Sequence, residues 1–184
     1  MKIVIIPGNG GGSVESSIWY SWVRDALVTD GRVNDGVLLR DMPDPVLARE
    51  GYWLPFMRDE LACDRNTIFV GHSSGAAAAM RYAEQSPVAG LVLVGAYPTD
   101  LDDPTERQSG YFSRPWHHIR QNSQFIVQFG STDDPYLPWH EQKAVADALG
   151  ADLRQFYNRG HFVDDEFPEL VLAIKELLDH CKAK

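Results

Sequence analysis

An α/β fold built on a mostly parallel, six-stranded sheet is what this sequence predicts, on three observations. Stretches patterned as strands and as helices alternate from one end to the other, the order that gives a parallel sheet with helices on both faces. The clearest strand candidates are short continuous apolar runs rather than alternating ones, as strands buried on both faces require. One of them, Ile68-Phe69-Val70, runs through Gly71-His72-Ser73-Ser74-Gly75 directly into an alanine-rich helix. A length of 184 residues suits one domain over 1–184 with a sizeable core.

In chain order, Lys2 to Ile6 is the first strand, and Pro7-Gly8-Asn9-Gly10-Gly11-Gly12-Ser13 is the loop after it. Ile18 to Leu27 reads as the first helix and Val37-Leu38-Leu39 as the second strand. Asp41-Met42-Pro43-Asp44-Pro45 is a connector, because two prolines forbid regular structure. Tyr52 to Cys63 is the second helix, with an early Pro55, and Thr67 to Val70 is the third strand. The helix opened by Ser74 and Ala76 to Ala79 runs to about Ser86-Pro87, and Gly90 to Val94 is the fourth strand. Tyr97 to Asn122 is the one long irregular segment, rich in proline and acid, and its aromatic residues argue against disorder. Phe125 to Phe129, Trp139 to Leu149, Leu153 to Phe156 and Phe167 to Lys182 complete the alternation as strand, helix, strand and helix. With strands numbered along the chain, right-handed crossovers allow the order 2-1-3-4-5-6 without knots. Ligands are then expected at the carboxyl ends of the strands.

The strand–Gly-x-Ser-x-Gly–helix stretch has the form of the nucleophile elbow of the α/β-hydrolases. Gly71 and Gly75 allow strand and helix to be folded tightly together, and Ser73 is left at the apex with its hydroxyl exposed. A serine hydroxyl needs a base, best a histidine held by a carboxylate. On this fold the chain order is Ser, then acid, then His. His161 lies between the last strand and the last helix, where the base belongs. His72 beside the nucleophile reads as a packing or hydrogen-bonding residue, and His117, His118 and His140 as surface residues. His180 lies in the final helix, far from the loop ends. The acid should follow the fifth strand, where Asp133 and Asp134 are both available, and Pro135 favours Asp134 by holding it extended. The backbone N–H groups of Asn9, in the loop after the first strand, and of Ser74, at the start of the elbow helix, are the candidate oxyanion donors.

A dinucleotide loop is the competing reading of residues 8–12, but Ser13 stands where a third glycine or alanine is required. No phosphate loop and no clustered Cys/His metal site appears, so neither a metal nor a cofactor is expected. A net charge of −9 argues against nucleic acid and against anionic membrane surfaces as partners. Cys63 and Cys181 read as free thiols. With no basic and apolar leader before Lys2 and no apolar run of membrane-spanning length, a cytoplasmic enzyme is expected.

Four motifs together resemble the retinoblastoma-binding protein 9 family of small serine hydrolases. They are the elbow, the Pro-Gly-Asn-Gly-Gly-Gly loop, Gly130-Ser131-Thr132-Asp133-Asp134-Pro135 and Gly160-His161-Phe162. Trp53-Leu54-Pro55-Phe56-Met57, Ser109-Gly110-Tyr111-Phe112 and Arg114-Pro115-Trp116 extend the resemblance over nearly the whole chain. It implies a compact α/β-hydrolase with Ser73, Asp134 and His161 as catalytic residues, and so settles the acid on Asp134. The implied reaction is acyl transfer to water from a small ester or an aminoacyl amide or ester, by a carboxylesterase or an aminopeptidase-like enzyme. The contrasting function is a hydrolase-fold protein acting mainly as a binding partner of retinoblastoma protein. The Leu-x-Cys-x-Glu segment from which the family takes its name is here Leu61-Ala62-Cys63-Asp64-Arg65, with Arg65 in place of Glu. Retinoblastoma protein is therefore not expected as a partner, and Leu61 and Cys63 are expected to face the core. The segment 97–122 is expected to fold over Ser73 as a short lid above a small pocket. Tyr111, Phe112 and Trp116 would wall that pocket, and acidic residues such as Asp102 or Asp103 would favour an amine-bearing substrate.

Overall fold

A computed structural model of the chain describes residues 1–33 and 35–182, with side chains as far as Asp179. The expectations for the His180 and Cys181 side chains lie outside the described residues. Six parallel strands run β1 (Lys2–Ile6), β2 (Val37–Leu39), β3 (Thr67–His72), β4 (Gly90–Val94), β5 (Ile126–Ser131) and β6 (Asp152–Phe156). Their order in the sheet is β2-β1-β3-β4-β5-β6, as the alternation of elements predicts. The helices are α1 (Tyr20–Asp30), α2 (Glu50–Asp59), α3 (Ser74–Gln85), α4 (Pro104–Ser109), α5 (Trp139–Leu149) and α6 (Pro168–Lys182).

The period of two along each strand explains why the apolar runs are continuous. Ile3 and Ile5 pack with Trp19, Val23 and Leu27 of the α1 segment and with Leu170 and Ile174 of α6. Val4 and Ile6 point the other way, onto Trp53 of α2, Ala76 of α3 and Val145 of α5. Both faces are thus covered, and β1, β3, β4 and β5 keep their carboxyl ends in register across the centre of the sheet. No helix among the described residues is long and apolar enough to cross a membrane.

The first helix starts and ends two to three residues later than the sequence reading, at Tyr20 and Asp30, and the second differs more. The helix expected over Tyr52 to Cys63 begins earlier, at Glu50, and ends at Asp59. The Leu61 N–H turns back to the Phe56 carbonyl, and Ala62 takes a left-handed backbone at φ 47°, which stops the helix and turns Leu61 and Cys63 inward. Both are buried in the core cluster, as expected. The segment 97–122 also contains a short helix, α4, that the sequence reading did not find. Asp103 caps it by accepting from the Thr105 and Glu106 amides, Pro104 opens it, and Gly110 closes it at φ 87°.

Arg81 of α3 organises the rest of that segment. Its guanidinium is fully buried, is held by the Glu84 carboxylate at 2.9 Å and stacks 3.6 Å above the Trp116 ring. It donates to the Tyr111, Arg114 and Pro115 carbonyls, and Trp116 Nε1 donates in turn to the Pro98 carbonyl at 2.9 Å. This overturns the placing of Tyr111, Phe112 and Trp116 in the substrate pocket. Tyr111 is fully buried, Phe112 and Trp116 pack against the same core cluster, and all three form the floor beneath the segment. Replacing Arg81 by Leu should lower the unfolding free energy by about 3–5 kcal/mol, because three carbonyls would lose their buried donor and Glu84 would keep only the His117 amide and the more distant Arg114. Urea unfolding of Arg81→Leu measures this, and an unchanged midpoint would contradict it.

Candidate active site

The site begins with two close approaches. A Cβ on Gly75 would lie 2.2 Å from the Ile6 carbonyl oxygen, and one on Gly71 would lie 2.5 Å from the Gly75 carbonyl oxygen. Only glycine fits at either place, and the result is a helix drawn tightly onto β1 and β3. Between them Ser73 adopts φ 54° and ψ −119°, a strained conformation for a residue with a side chain, and its N–H is anchored to the Val94 carbonyl at 2.9 Å. The strain is local to the one residue whose side chain must stand clear of both strand and helix.

Asp134 and His161 meet opposite it. His161 Nδ1 and an Asp134 oxygen are 2.8 Å apart, and the Asp134 side chain has no solvent exposure. The other Asp134 oxygen accepts from the Tyr136 and Leu137 amides at 2.9 and 3.0 Å, so the carboxylate is fixed in direction before it meets the imidazole. Asp133 points elsewhere. It accepts from the Gly160 amide at 3.0 Å and from the Ser131 hydroxyl at 2.5 Å, and the Ser131 bond, ahead of the amide bonds, holds its carboxyl below the usual range. Asp133 thus ties the loop that carries His161 to the end of β5.

Ser73 and His161 both line one cleft of about 720 Å³ at the carboxyl ends of the strands. Its walls include the glycine loop 8–12, Asp41, Met42 and Pro45 of the connector, Tyr136 and Leu137, and Tyr97, Leu101, Asp103 and Glu106 of the 97–122 segment. The cleft is roomier than a short lid alone suggests, because the glycine loop and the connector supply much of the wall. Asp103 lines it, whereas Asp102 faces solvent.

Of the two expected oxyanion donors, Asn9 lies in the loop after β1 and Ser74 directly follows Ser73. Gly8 N–H donates to the Tyr20 hydroxyl at 2.9 Å and Gly10 N–H to the Pro45 carbonyl at 2.7 Å, while Asn9 lies between them on the cleft wall. Ser74 is the first residue of α3, where an amide has no partner within the helix. Glu106 was not singled out from the sequence. It accepts from the Tyr97 hydroxyl at 2.6 Å, and burial, with Asp103 and Asp100 nearby, raises its carboxyl above the usual range. The signal that finds it is the Asp103-Pro104 helix start, which puts residue 106 in the first turn.

The profile of the Serine hydrolase family matches residues 3–176. The chain belongs to the serine hydrolase family. Serine hydrolase RBBP9 of Rattus norvegicus is 56% identical over 179 residues, 96% of this chain and 95% of that relative, so the resemblance read from the motifs is borne out. Among solved structures, the ydeN gene product from B. subtilis superimposes with a TM-score of 0.82 at 23% identity, covering 97% of this chain and 98% of that one. Alpha/beta hydrolase domain-containing protein 10 from mouse gives 0.67 at 18% identity, covering 98% and 90%. At such identities these two neighbours show the fold alone, and that fold is the α/β-hydrolase fold.

His72 gives this serine hydrolase a defined acid response. Burial, reinforced by His161 nearby, lowers its pKa from 6.5 to about 3. Between those values the unfolded chain binds the proton and the folded chain does not, so stability is lost as pH falls through the window and levels off above it. His72→Gln should flatten the slope of unfolding free energy between pH 4 and 6 by about 1.4 kcal/mol per pH unit. Urea midpoints across that range test it; parallel slopes for the two proteins would refute it.

Proposed function

We propose that the protein hydrolyses small esters or aminoacyl esters and amides through an acyl-enzyme on Ser73. The observation that carries this is the 2.8 Å pairing of Asp134 with His161 on the wall of the cleft that holds Ser73 at the elbow. His161 takes the Ser73 proton as Oγ attacks the carbonyl and returns it to the leaving group. Water, activated by the same imidazole, then releases the acid. Asp134 accepts from Nδ1–H, which leaves Nε2 as the proton acceptor and stabilises the imidazolium. The N–H groups of Asn9 and Ser74 hold the oxyanion.

The lining supports amine-bearing substrates over lipids. Asp103 and Glu106 both line the cleft, and Glu106 is held there by accepting from the Tyr97 hydroxyl through one oxygen. An α-ammonium group placed there gains a charge-assisted bond, whereas a long acyl chain would displace water from carboxylates without pairing them. A retinoblastoma-binding role is not part of this proposal: Leu61 and Cys63 are buried at 3% and 7% exposure, and Arg65 occupies the position of the motif glutamate.

Ser73→Ala should abolish labelling by a fluorophosphonate probe and cut ester turnover by ~10⁴ or more in a folded protein. Asp134→Asn should cost a comparable factor by leaving His161 in the wrong tautomer. Asp133→Asn should cost far less, and a crippled Asp133→Asn beside an active Asp134→Asn would reverse the two roles. On a panel of p-nitrophenyl esters beside aminoacyl coumarin amides, turnover should favour the aminoacyl compounds. Glu106→Gln should raise KM for these and leave acetyl ester turnover nearly unchanged. A preference for chains of about twelve carbons or more would refute the amine reading, since clefts of this class select by lining.

A further inference from the structure

Tyr20 and His72 form a buried chain of hydrogen bonds between the two loops that flank Ser73. The Gly8 amide donates to the Tyr20 hydroxyl at 2.9 Å, the Tyr20 oxygen lies 2.7 Å from His72 Nδ1, and His72 Nε2 lies 2.9 Å from the His161 carbonyl oxygen. Both side chains are buried, at 4% and 3% exposure. The protons have only one arrangement. A carbonyl oxygen can only accept, so His72 Nε2 carries a hydrogen. His72 is held neutral by its burial, so Nδ1 has a free lone pair and the Tyr20 hydroxyl donates to it. The Tyr20 oxygen is then free to accept from Gly8, and every group in the chain is satisfied in one direction. Next to it, Trp19 Nε1 donates to the Phe162 carbonyl at 2.8 Å, so consecutive carbonyls of the His161 loop are gripped from the same side.

We propose that Tyr20 and His72 are positioning residues that set the Asn9 amide and the His161 imidazole in a fixed relation to Ser73. This rests on the proposed roles of Asn9 and His161. Gly8 directly precedes Asn9, and the His72 contact is to the backbone of His161 itself, so a shift at either end of the chain moves a reacting group. His72 touches no reacting atom in this scheme. It stands one residue before the nucleophile on β3, with its ring 4.9 Å from that of His161, and spans from the amino-terminal loop to the loop after β6. An Asn at position 72 would keep only the acceptor toward Tyr20, a Gln only the donor toward His161, and a Leu neither.

The test measures kcat and KM for one ester, with active sites counted by fluorophosphonate titration so that unfolded protein does not contribute. Probe labelling of the wild type and its loss in Ser73→Ala examine the underlying reading and do not involve Tyr20 or His72. Tyr20→Phe, which keeps the ring and removes only the hydroxyl, should lower kcat about 10- to 100-fold with KM changed less than about two-fold. His72→Leu should do the same, and His72→Gln should recover most of that loss by restoring the bond to the His161 carbonyl. The double variant Tyr20→Phe/His72→Leu should lose no more than the worse single variant, because either change opens the same chain. If His72→Leu does not fold, Tyr20→Phe and His72→Gln decide. Wild-type kcat per titrated site in folded Tyr20→Phe, additive losses in the double variant, or an effect confined to melting temperature would each overturn the proposal.

Discussion

The close approach of α3 to β1 and β3 at residues 71–75 is the constraint on which the rest of the molecule depends. It is set by two hydrogen atoms standing where side chains would be: a methyl at Gly75 would sit inside the Ile6 and Pro7 carbonyls, and one at Gly71 inside the Gly75 backbone. Because the helix is so near, the residues on its first turn and a half must be small, and Ala76, Ala77, Ala78 and Ala79 are all fully buried. The same proximity brings the helix start over the carboxyl end of β1, so that the loop after β1 and the first amide of α3 reach Ser73 together. The strained backbone of Ser73 follows from the packing around it and needs no separate cause.

The loop after β5 shows how two adjacent carboxylates can be given different tasks. Asp134 is shut away from solvent, with one oxygen on backbone amides and the other on imidazole. Asp133 is exposed and spends its oxygen on Ser131 and on the Gly160 amide. Ser131 completes the tie by accepting from the Arg159 amide at 3.1 Å, which draws the β5 and β6 ends together beneath His161. His161 is therefore held through its ring by Asp134, through its loop by Asp133, and through its own carbonyl by His72.

What was legible in the sequence followed from local patterns. The alternation of strand and helix patterns, with right-handed crossovers, gave the strands and their order; chain order brought out Ser73, His161 and the pair Asp133 and Asp134, and the family resemblance chose Asp134. The inward turn of Leu61 and Cys63 also followed from their place between a helix and a buried strand. The roles of Tyr111, Phe112 and Trp116 were not legible, because aromatics in an irregular segment look alike whether they face a cleft or a core. What decides between the two is Arg81, thirty residues before Tyr111, and nothing local to 111–116 announces a buried guanidinium there. Tyr20 was hidden for a similar reason: on α1 it reads as one more core aromatic, and its hydroxyl gains meaning only when β3 sets His72 beside it. The helix α4 was within reach, since Asp103-Pro104 with Gly110 is a start and a stop at the right separation.

Charge in the cleft differs in kind from charge on the surface of this acidic chain. Exposed carboxylates such as Asp102 are solvated and tell little about a ligand, since water screens them from anything that binds nearby. Glu106 is partly withdrawn from water, is bound on one side by the Tyr97 hydroxyl, and has Asp103 and Asp100 for neighbours, so that its charged form is disfavoured. A carboxylate in that condition gains more from an arriving cation than a solvated one does, because the cation relieves both the desolvation and the like-charge repulsion. Tyr97 is itself buried and lines the same cleft as Glu106 and Ser73. The carboxylate that would receive an ammonium group is therefore held in a fixed place by Tyr97, on the wall of the same cleft that Ser73 lines.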